Sequence, residues 1–350
     1  MNVNVSIPAG DAMSARTLKL KATIHSTLGK VLPKFEKFAL LDFPDHSNVG
    51  DSAIWLGEIR YFEEVHGRRP SLVSTFRHPM QDILDNLPDG PIFLHGGGNF
   101  GDIYPEIHAW RQNLLAATKG RPVVQMPQSI HFSNAESVAE TARAIATHGN
   151  YSLLVRDAKS FELAFRNFDC PVTLCPDMAI CLGPLQPTRT AEVDVMCLMR
   201  TDEERVSAEE TAAPAAPGLS IDLKDWLEED KGSLRGVRHP NLLARLAAAK
   251  EGGLKRSNYR NLSFRRLAGA RLERGLDILS SGRWVATDRL HAHILSLLIG
   301  RPHVALDNNY GKISSFIAEW TAGTKGVNAA TSLAEALGLI TDELQAVAPR

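Results

Sequence analysis

From residue 38 onward the chain alternates short apolar runs with amphipathic stretches of helical length, and no other feature restricts its fold so strongly. "FALLDFP" (38–44), "SLVSTF" (71–76), "PIFLHG" (91–96), "PVVQMPQS" (122–129) and "SLLVRD" (152–157) read as strands. "DSAIWLGEIRYFEEVHG" (51–67), "EIHAWRQNLLAATKG" (106–120), "AESVAETARAIATHG" (135–149) and "AKSFELAFRNF" (158–168) read as helices. Helices of this length between strands are crossover connections, so the sheet is parallel and covered on both faces. The rhythm breaks at "GPLQPTRTAE" (183–192), which has two prolines and no apolar period. A second series then opens with "VDVMCLM" and "GLSIDL" and ends with "RWVATD", "RLHAHILSLLIG", "PHVALD" and "GKISSFIAEW". The expectation is an α/β chain of two domains, 36–184 and 190–350, facing a cleft. "TDEERVSAEETAAPAAP" (201–217) reads as an exposed polar loop.

A net charge of −1 gives no global attraction for nucleic acid, so any anion must be held locally. Cys170, Cys175, Cys181 and Cys197 match no zinc-ligand spacing and read as reduced core residues of a cytoplasmic protein. No run approaches the roughly 20 apolar residues of a membrane span. Residues 1–35 form a basic leader. Leu18, Leu20, Ile24, Leu28 and Val31 could stripe a helix lying peripherally on an anionic membrane, or the segment is a frayed, solvated lead-in.

Four loops stand at the carboxyl ends of strands, where open α/β sheets bind ligands. They are "HSNVGD", "HGGGNFGD", "TDRLH" and "DNNYGK". The second contains Gly96-x-Gly98-x-x-Gly101, the spacing of a dinucleotide turn. That reading fails on context. The loop follows a third strand rather than a first, the next strand ends in Gln128 and Ser129 where an acid is needed, and Asp102 would repel a pyrophosphate. Gly96, Gly97, Gly98 and Asn99 then offer backbone to an anion or to sugar hydroxyls, or else make a tight packed turn. In "NVGD", Asn48 and Gly50 turn the chain, and Asp51 either caps a helix starting at Ser52 or orients an acceptor hydroxyl. His95, His131 and Gln128 lie near the same edge. Either histidine is a candidate acid or base, or a structural group, and the sequence does not rank them.

Taken together, "NVGDSAIWLGE", "FLHGGGNFGDIYP", "MPQSIHF", "VRDAKSFELA", "CPDMAI", "TDRLHAHILSLLIGRPHVAL" and "DNNYGK" resemble, in order and spacing, the polysaccharide pyruvyl transferase family. The resemblance covers most of residues 40–315; residues 200–260 have no counterpart in it. It implies two Rossmann-like domains in a GT-B-like architecture. It implies transfer of pyruvyl from phosphoenolpyruvate, a co-substrate, to a sugar of a polysaccharide or lipid-linked oligosaccharide, giving a cyclic ketal. Contact with glycan-assembly enzymes and a bacterial origin belong to the same expectation. The family's Arg-Leu-His triplet falls on Arg289, Leu290 and His291 and contacts phosphoenolpyruvate. A further arginine from the first domain falls on Arg156.

The chemistry asks for these residue types. Phosphoenolpyruvate carries a phosphate and a carboxylate, which suit the planar guanidinium of Arg289 at a helix start. Lys312, after Gly311, is a second phosphate contact or a solvated lysine. Protonating the methylene carbon needs a general acid, and His291 is the first choice. The reaction requires neither metal nor cofactor, and none is expected. Two rivals remain at this stage: a nucleotide-sugar transferase using Asp307 for a ribose, and a non-catalytic glycan-binding subunit.

Overall fold

The computed structural model describes residues 9–201, 218–229, 234, 237, 253–307 and 312–347. The first eight residues of the leader, the expected polar loop beyond Thr201 and residues 308–311 of "DNNYGK" lie outside the described residues. The chain divides into two compact units. The first comprises Ala22–Cys181 and Asp230–Arg271, the second Met1–Lys21, Leu182–Glu229 and Leu272–Arg350.

The elements run α1 (Ala9–Val31), β1 (Ala39–Leu41), α2 (Val49–His66), β2 (Leu72–Ser74), α3 (Met80–Asp85), β3 (Ile92–Leu94), β4 (Gly97–Gly101), α4 (Pro105–Ala117), β5 (Val123–His131), α5 (Ala135–His148), β6 (Tyr151–Val155), α6 (Ala158–Asn167) and β7 (Val172–Leu174). After them come β8 (Val193–Leu198), β9 (Ile221–Lys224), α7 (Gly253–Ser280), β10 (Gly282–Thr287), α8 (Leu290–Leu298), β11 (His303–Leu306), α9 (Lys312–Phe316), β12 (Val327–Ala330) and α10 (Leu333–Val347).

In the first unit the strand order is β2-β1-β3-β5-β6-β7, and every pair is parallel. In the second unit it is β9-β8-β10-β11-β12, again all parallel. Each sheet therefore grows outward from its first strand to one edge and then returns past it. The reversal leaves a crevice at the carboxyl ends of β1 and β3 in one unit and of β8 and β10 in the other, where a doubly wound sheet takes its ligand. Both sheets are Rossmann-like, as the alternating rhythm predicts.

Two expectations change. The glycine run is not a loop leading into a helix. It forms β4, which pairs with β5 at Gln128–His131 where β3 has ended. Gly97 and Gly101 have φ of 126° and 122°, and a Cβ on Gly101 would lie 1.6 Å from the His131 carbonyl oxygen. The glycines thus let two backbones approach each other. Pro127, which has no N–H to give the ladder, sits where the register of β5 slips against β6.

The second change concerns the leader. Residues 9–31 are helical, and Met13, Thr17, Leu20, Ile24 and Leu28 are buried at helical spacing, while Leu18 points outward at 56% exposure. The apolar face that a membrane-lying helix would need is already covered by protein. Among the described residues, no helix is long and apolar enough to cross a membrane.

Candidate active site

In the first unit the crevice is lined from the ends of β1 and β3 and the start of α2. Asp42 ends β1 with φ of 70°, the left-handed region that a non-glycine residue enters only under local constraint. Its carboxylate accepts from Asn99 Nδ2 at 3.2 Å and lies 3.9 Å from Arg111. Burial pushes the Asp42 carboxyl above the usual carboxylate range, against the opposing pull of Arg111 and His95. Asn99 Oδ1 accepts from Arg111 at 3.1 Å and from Gln128 Nε2 at 2.9 Å. Asn99 and Gln128 are thereby joined, with Asp42 and Arg111 as further partners that sequence reasoning missed.

Helix α2 begins at Val49, not at Ser52. Asn48 is the N-cap, accepting from the Gly50 N–H at 3.0 Å, and donates its own amide to Asp51 at 2.9 Å. The cap falls on Asn48 because its side chain reaches an orphan N–H while Asp51, at the third helical position, reaches back. Asp51 lies beside Gly97, where an added Cβ would stand 3.4 Å from its Oδ1. Gly98 and Asn99 are half-buried on β4.

His95 is buried against Glu58, with Nδ1 2.8 Å from Oε2, and the Gly96 N–H donates to the other oxygen at 2.8 Å. His131 ends β5, half-buried, opposite Gly101. Asp102 is a clasp between strand ends, accepting from the Ser133 N–H and hydroxyl at 2.7 and 2.8 Å and from Asn134 at 3.0 Å. Slight burial opposes its charge, but the Ser133 bonds outweigh this and hold its carboxyl below the usual range. Arg156 is 3% exposed and committed to Asp177 at 2.6 Å and Ser129 at 2.9 Å.

In the second unit Arg289 is the N-cap residue of α8, two residues past the end of β10. It is 3% exposed, donates from Nη2 to Asp225 Oδ2 at 2.6 Å, and places its guanidinium carbon 5.9 Å from the centre of the Trp226 ring. Asp225 in turn accepts from the Thr201 N–H and hydroxyl and from the Trp226 N–H. Leu290 and His291 occupy the first turn of α8, each 8% exposed. Lys312 opens α9; its side chain lies outside the described residues. Of the site residues expected from sequence, those of the first unit stand at the start of α2 and at the ends of β3 to β6, and Arg289, Leu290 and His291 stand at the start of α8 in the second.

The sequence profile of the polysaccharide pyruvyl transferase family matches residues 48–310. Pyruvyl transferase 1 of Schizosaccharomyces pombe is 30% identical over 334 residues, covering 90% of this chain and 78% of that one. EpsO of Bacillus subtilis, whose name also proposes a pyruvyl transferase, is 29% identical, covering 87% of this chain and 92% of that one. The chain belongs to the polysaccharide pyruvyl transferase family. A solved structure of a functionally uncharacterised Klebsiella pneumoniae protein shares the fold, with a TM-score of 0.54, 17% identity, and coverage of 90% and 97%.

Membership in the pyruvyl transferase family makes the chain a transferase of polysaccharide biosynthesis and does not favour the nucleotide-sugar rival. Within that family's triplet segment, Asp288 is a further group the sequence did not single out. It accepts from the Arg200 N–H at 2.8 Å, joining the ends of β8 and β10, and burial pushes its carboxyl up to about 6. His293, two residues past His291, is structural. His303 Nδ1 donates to the Arg301 carbonyl at 2.8 Å, so its Nε2 accepts from His293 Nδ1 at 2.8 Å, and His293 Nε2 accepts from the Thr321 hydroxyl at 3.1 Å. Among the described residues, no group of three or more His, Cys, Asp or Glu is arranged to hold a metal ion. None of the four cysteines is in a disulfide, and Cys175, Cys181 and Cys197 are buried.

Proposed function

We propose that this family member takes phosphoenolpyruvate as donor and joins its pyruvyl unit to two hydroxyls of one sugar, in a polysaccharide or its lipid-linked precursor, releasing phosphate. The observation that carries the reading is Arg289: a buried guanidinium at the N-cap of a nine-residue helix, at the reversal of a parallel sheet, held by Asp225 and Trp226. A fixed planar fork at the positive end of a helix suits a small dianion with a carboxylate. His291, in the same first turn, supplies the proton that C3 of the donor takes up. As C3 is protonated, a sugar hydroxyl bonds to C2 and its proton passes to a base. The C2–O bond to phosphate then breaks, its electron pair leaving with the phosphate, while the second hydroxyl closes the ring and loses its proton.

The proposal includes no metal or cofactor step. A GT-B-like pairing of the two Rossmann-like units, a cytoplasmic setting and contact with membrane-bound acceptors belong to the same reading. Arg156 enters it as a support of the first sheet's edge, because Asp177 and Ser129 already engage it.

The test is phosphate release from phosphoenolpyruvate against a panel of lipid-linked and synthetic glycosides. In heavy water a solvent deuteron should appear in the ketal methyl group. Transfer from a sugar nucleotide, with phosphoenolpyruvate ignored, would overturn the reading.

A further inference from the structure

The polar atoms of His95 are accounted for one by one. Its N–H donates to the Leu41 carbonyl at 3.0 Å. Its carbonyl accepts from Gln125 Nε2 at 2.8 Å and Gln128 Nε2 at 3.0 Å. Its Nδ1 meets Glu58 at 2.8 Å. The Trp55 ring lies edge-on at 5.6 Å. Only Nε2, buried at the end of β3, has no hydrogen-bond partner among the described residues. A buried polar atom left over in so fully paired a residue calls for a partner from outside the protein.

Glu58 is itself 0% exposed and spends its two oxygens on the Gly96 N–H and the imidazole. A carboxylate on Nδ1 keeps the proton there, so the lone pair of the neutral ring is on Nε2. Glu58 and the edge-on Trp55 contact hold the ring, and the backbone beneath it is bonded on both sides, to the Leu41 carbonyl and to Gln125 and Gln128.

We infer that Glu58 and His95 form an acid–base dyad of the transfer reaction, in which Nε2 of His95 takes the proton of the acceptor hydroxyl and Glu58 positions the imidazole. The inference rests on the proposed pyruvyl transfer and names its base. As the hydroxyl oxygen bonds to C2, its proton moves to Nε2. The imidazolium so formed stands against the Glu58 carboxylate, and the proton returns to water before the next turnover. This ranks His95 above His131, between which the sequence does not choose. Glu58 was legible only as part of a family segment, with no sign of its role.

The charged groups acting on His95 are Glu58 on α2, Asp51 at the start of α2 and Asp42 at the end of β1, all acidic. Burial opposes a charge on the ring, but these carboxylates, Glu58 foremost, outweigh it and raise the His95 pKa above the ordinary 6.5. A base must be deprotonated to act, so the acidic limb of the rate profile should lie above that value.

The experiment is the pH dependence of phosphate release by the full chain, with phosphoenolpyruvate binding followed separately by calorimetry. His95→Gln should slow turnover roughly 10²–10⁴-fold with donor binding retained. Glu58→Gln keeps the shape and an oxygen for the Gly96 N–H. It should slow turnover roughly ten- to hundredfold, the usual cost of losing an orienting partner, and move the acidic limb to lower pH. An active wild type with an unshifted limb in Glu58→Gln overturns the dyad and leaves pyruvyl transfer standing. Should Glu58→Gln not fold, His95→Gln decides, because wild-type turnover in that variant overturns the dyad. A wild type that binds or turns over no phosphoenolpyruvate overturns the underlying reading, and the dyad's role falls with it.

Discussion

Arg289 owes its usefulness to what surrounds it. A free arginine samples many rotamers; this one is held by Asp225 on one edge and Trp226 on one face. Asp225→Asn keeps the shape and removes the charge, and charge-assisted hydrogen bonds contribute about 1.5–3 kcal/mol. Phosphoenolpyruvate should therefore bind roughly ten- to hundredfold more weakly to Asp225→Asn in a calorimetric titration, and the melting temperature should fall because the buried guanidinium loses its countercharge. Arg289→Lys keeps the charge but loses the fork, so both affinity and turnover should fall. Unchanged donor affinity in both variants would remove the anion site from α8. Glycines offer a second contrast at this scale. Gly101→Ala sets a methyl against the His131 carbonyl and should lower stability by several kcal/mol, about the upper range for strain of this kind. Gly29→Ala, on an exposed stretch of α1 with nothing within 4 Å, should raise it by about 1 kcal/mol. Urea titration of the two variants checks both signs.

Among elements, the α8–β11 contact carries a titration of its own. His293 and His303 are fully buried and hydrogen-bonded as neutral rings, and burial lowers both, His303 to about 4. Unfolded, each would bind a proton below about 6.5. The unfolded chain thus takes up more protons between pH 6.5 and 4, and stability falls as pH drops through that window. For His303 alone the loss by pH 4 is on the order of 3 kcal/mol. His303→Gln should flatten the pH dependence of urea midpoints between pH 6.5 and 4.5. An unaltered slope would mean that other groups set it.

Strands and helices were legible where a period was present. β1, β3, β5, β6 and their connecting helices stand within a few residues of where the apolar runs put them. β4 was not, because three glycines carry no side-chain period and their pairing with β5 depends on a carbonyl 30 residues away. The partners inside the site were hidden for a related reason. Glu58 and His95 are 37 residues apart, Asp42 and Asn99 57, and Asp225 and Arg289 64. No local pattern announces such pairs. The residues at strand ends could be read, but not which of them hold one another.

For the whole molecule, the leader is the clearest revision. Met13, Leu20, Ile24 and Leu28 are each at most 4% exposed, and a fully buried side chain of this kind contributes roughly 1.5–3 kcal/mol. Deleting residues 1–31 should therefore lower the melting temperature sharply or prevent folding, rather than leave a trimmed and stable enzyme. Circular dichroism of the truncated chain decides between these outcomes. The same division of the sequence bears on any attempt to exchange specificities between relatives. Residues 22–181 are completed by 230–271, and residues 182–229 and 272–350 by 1–21. A chimaera spliced once, at the proline-rich break near residue 185, would give each half a foreign complement. Grafting the first unit from one relative to another takes four junctions, and two of them fall inside helices α1 and α7.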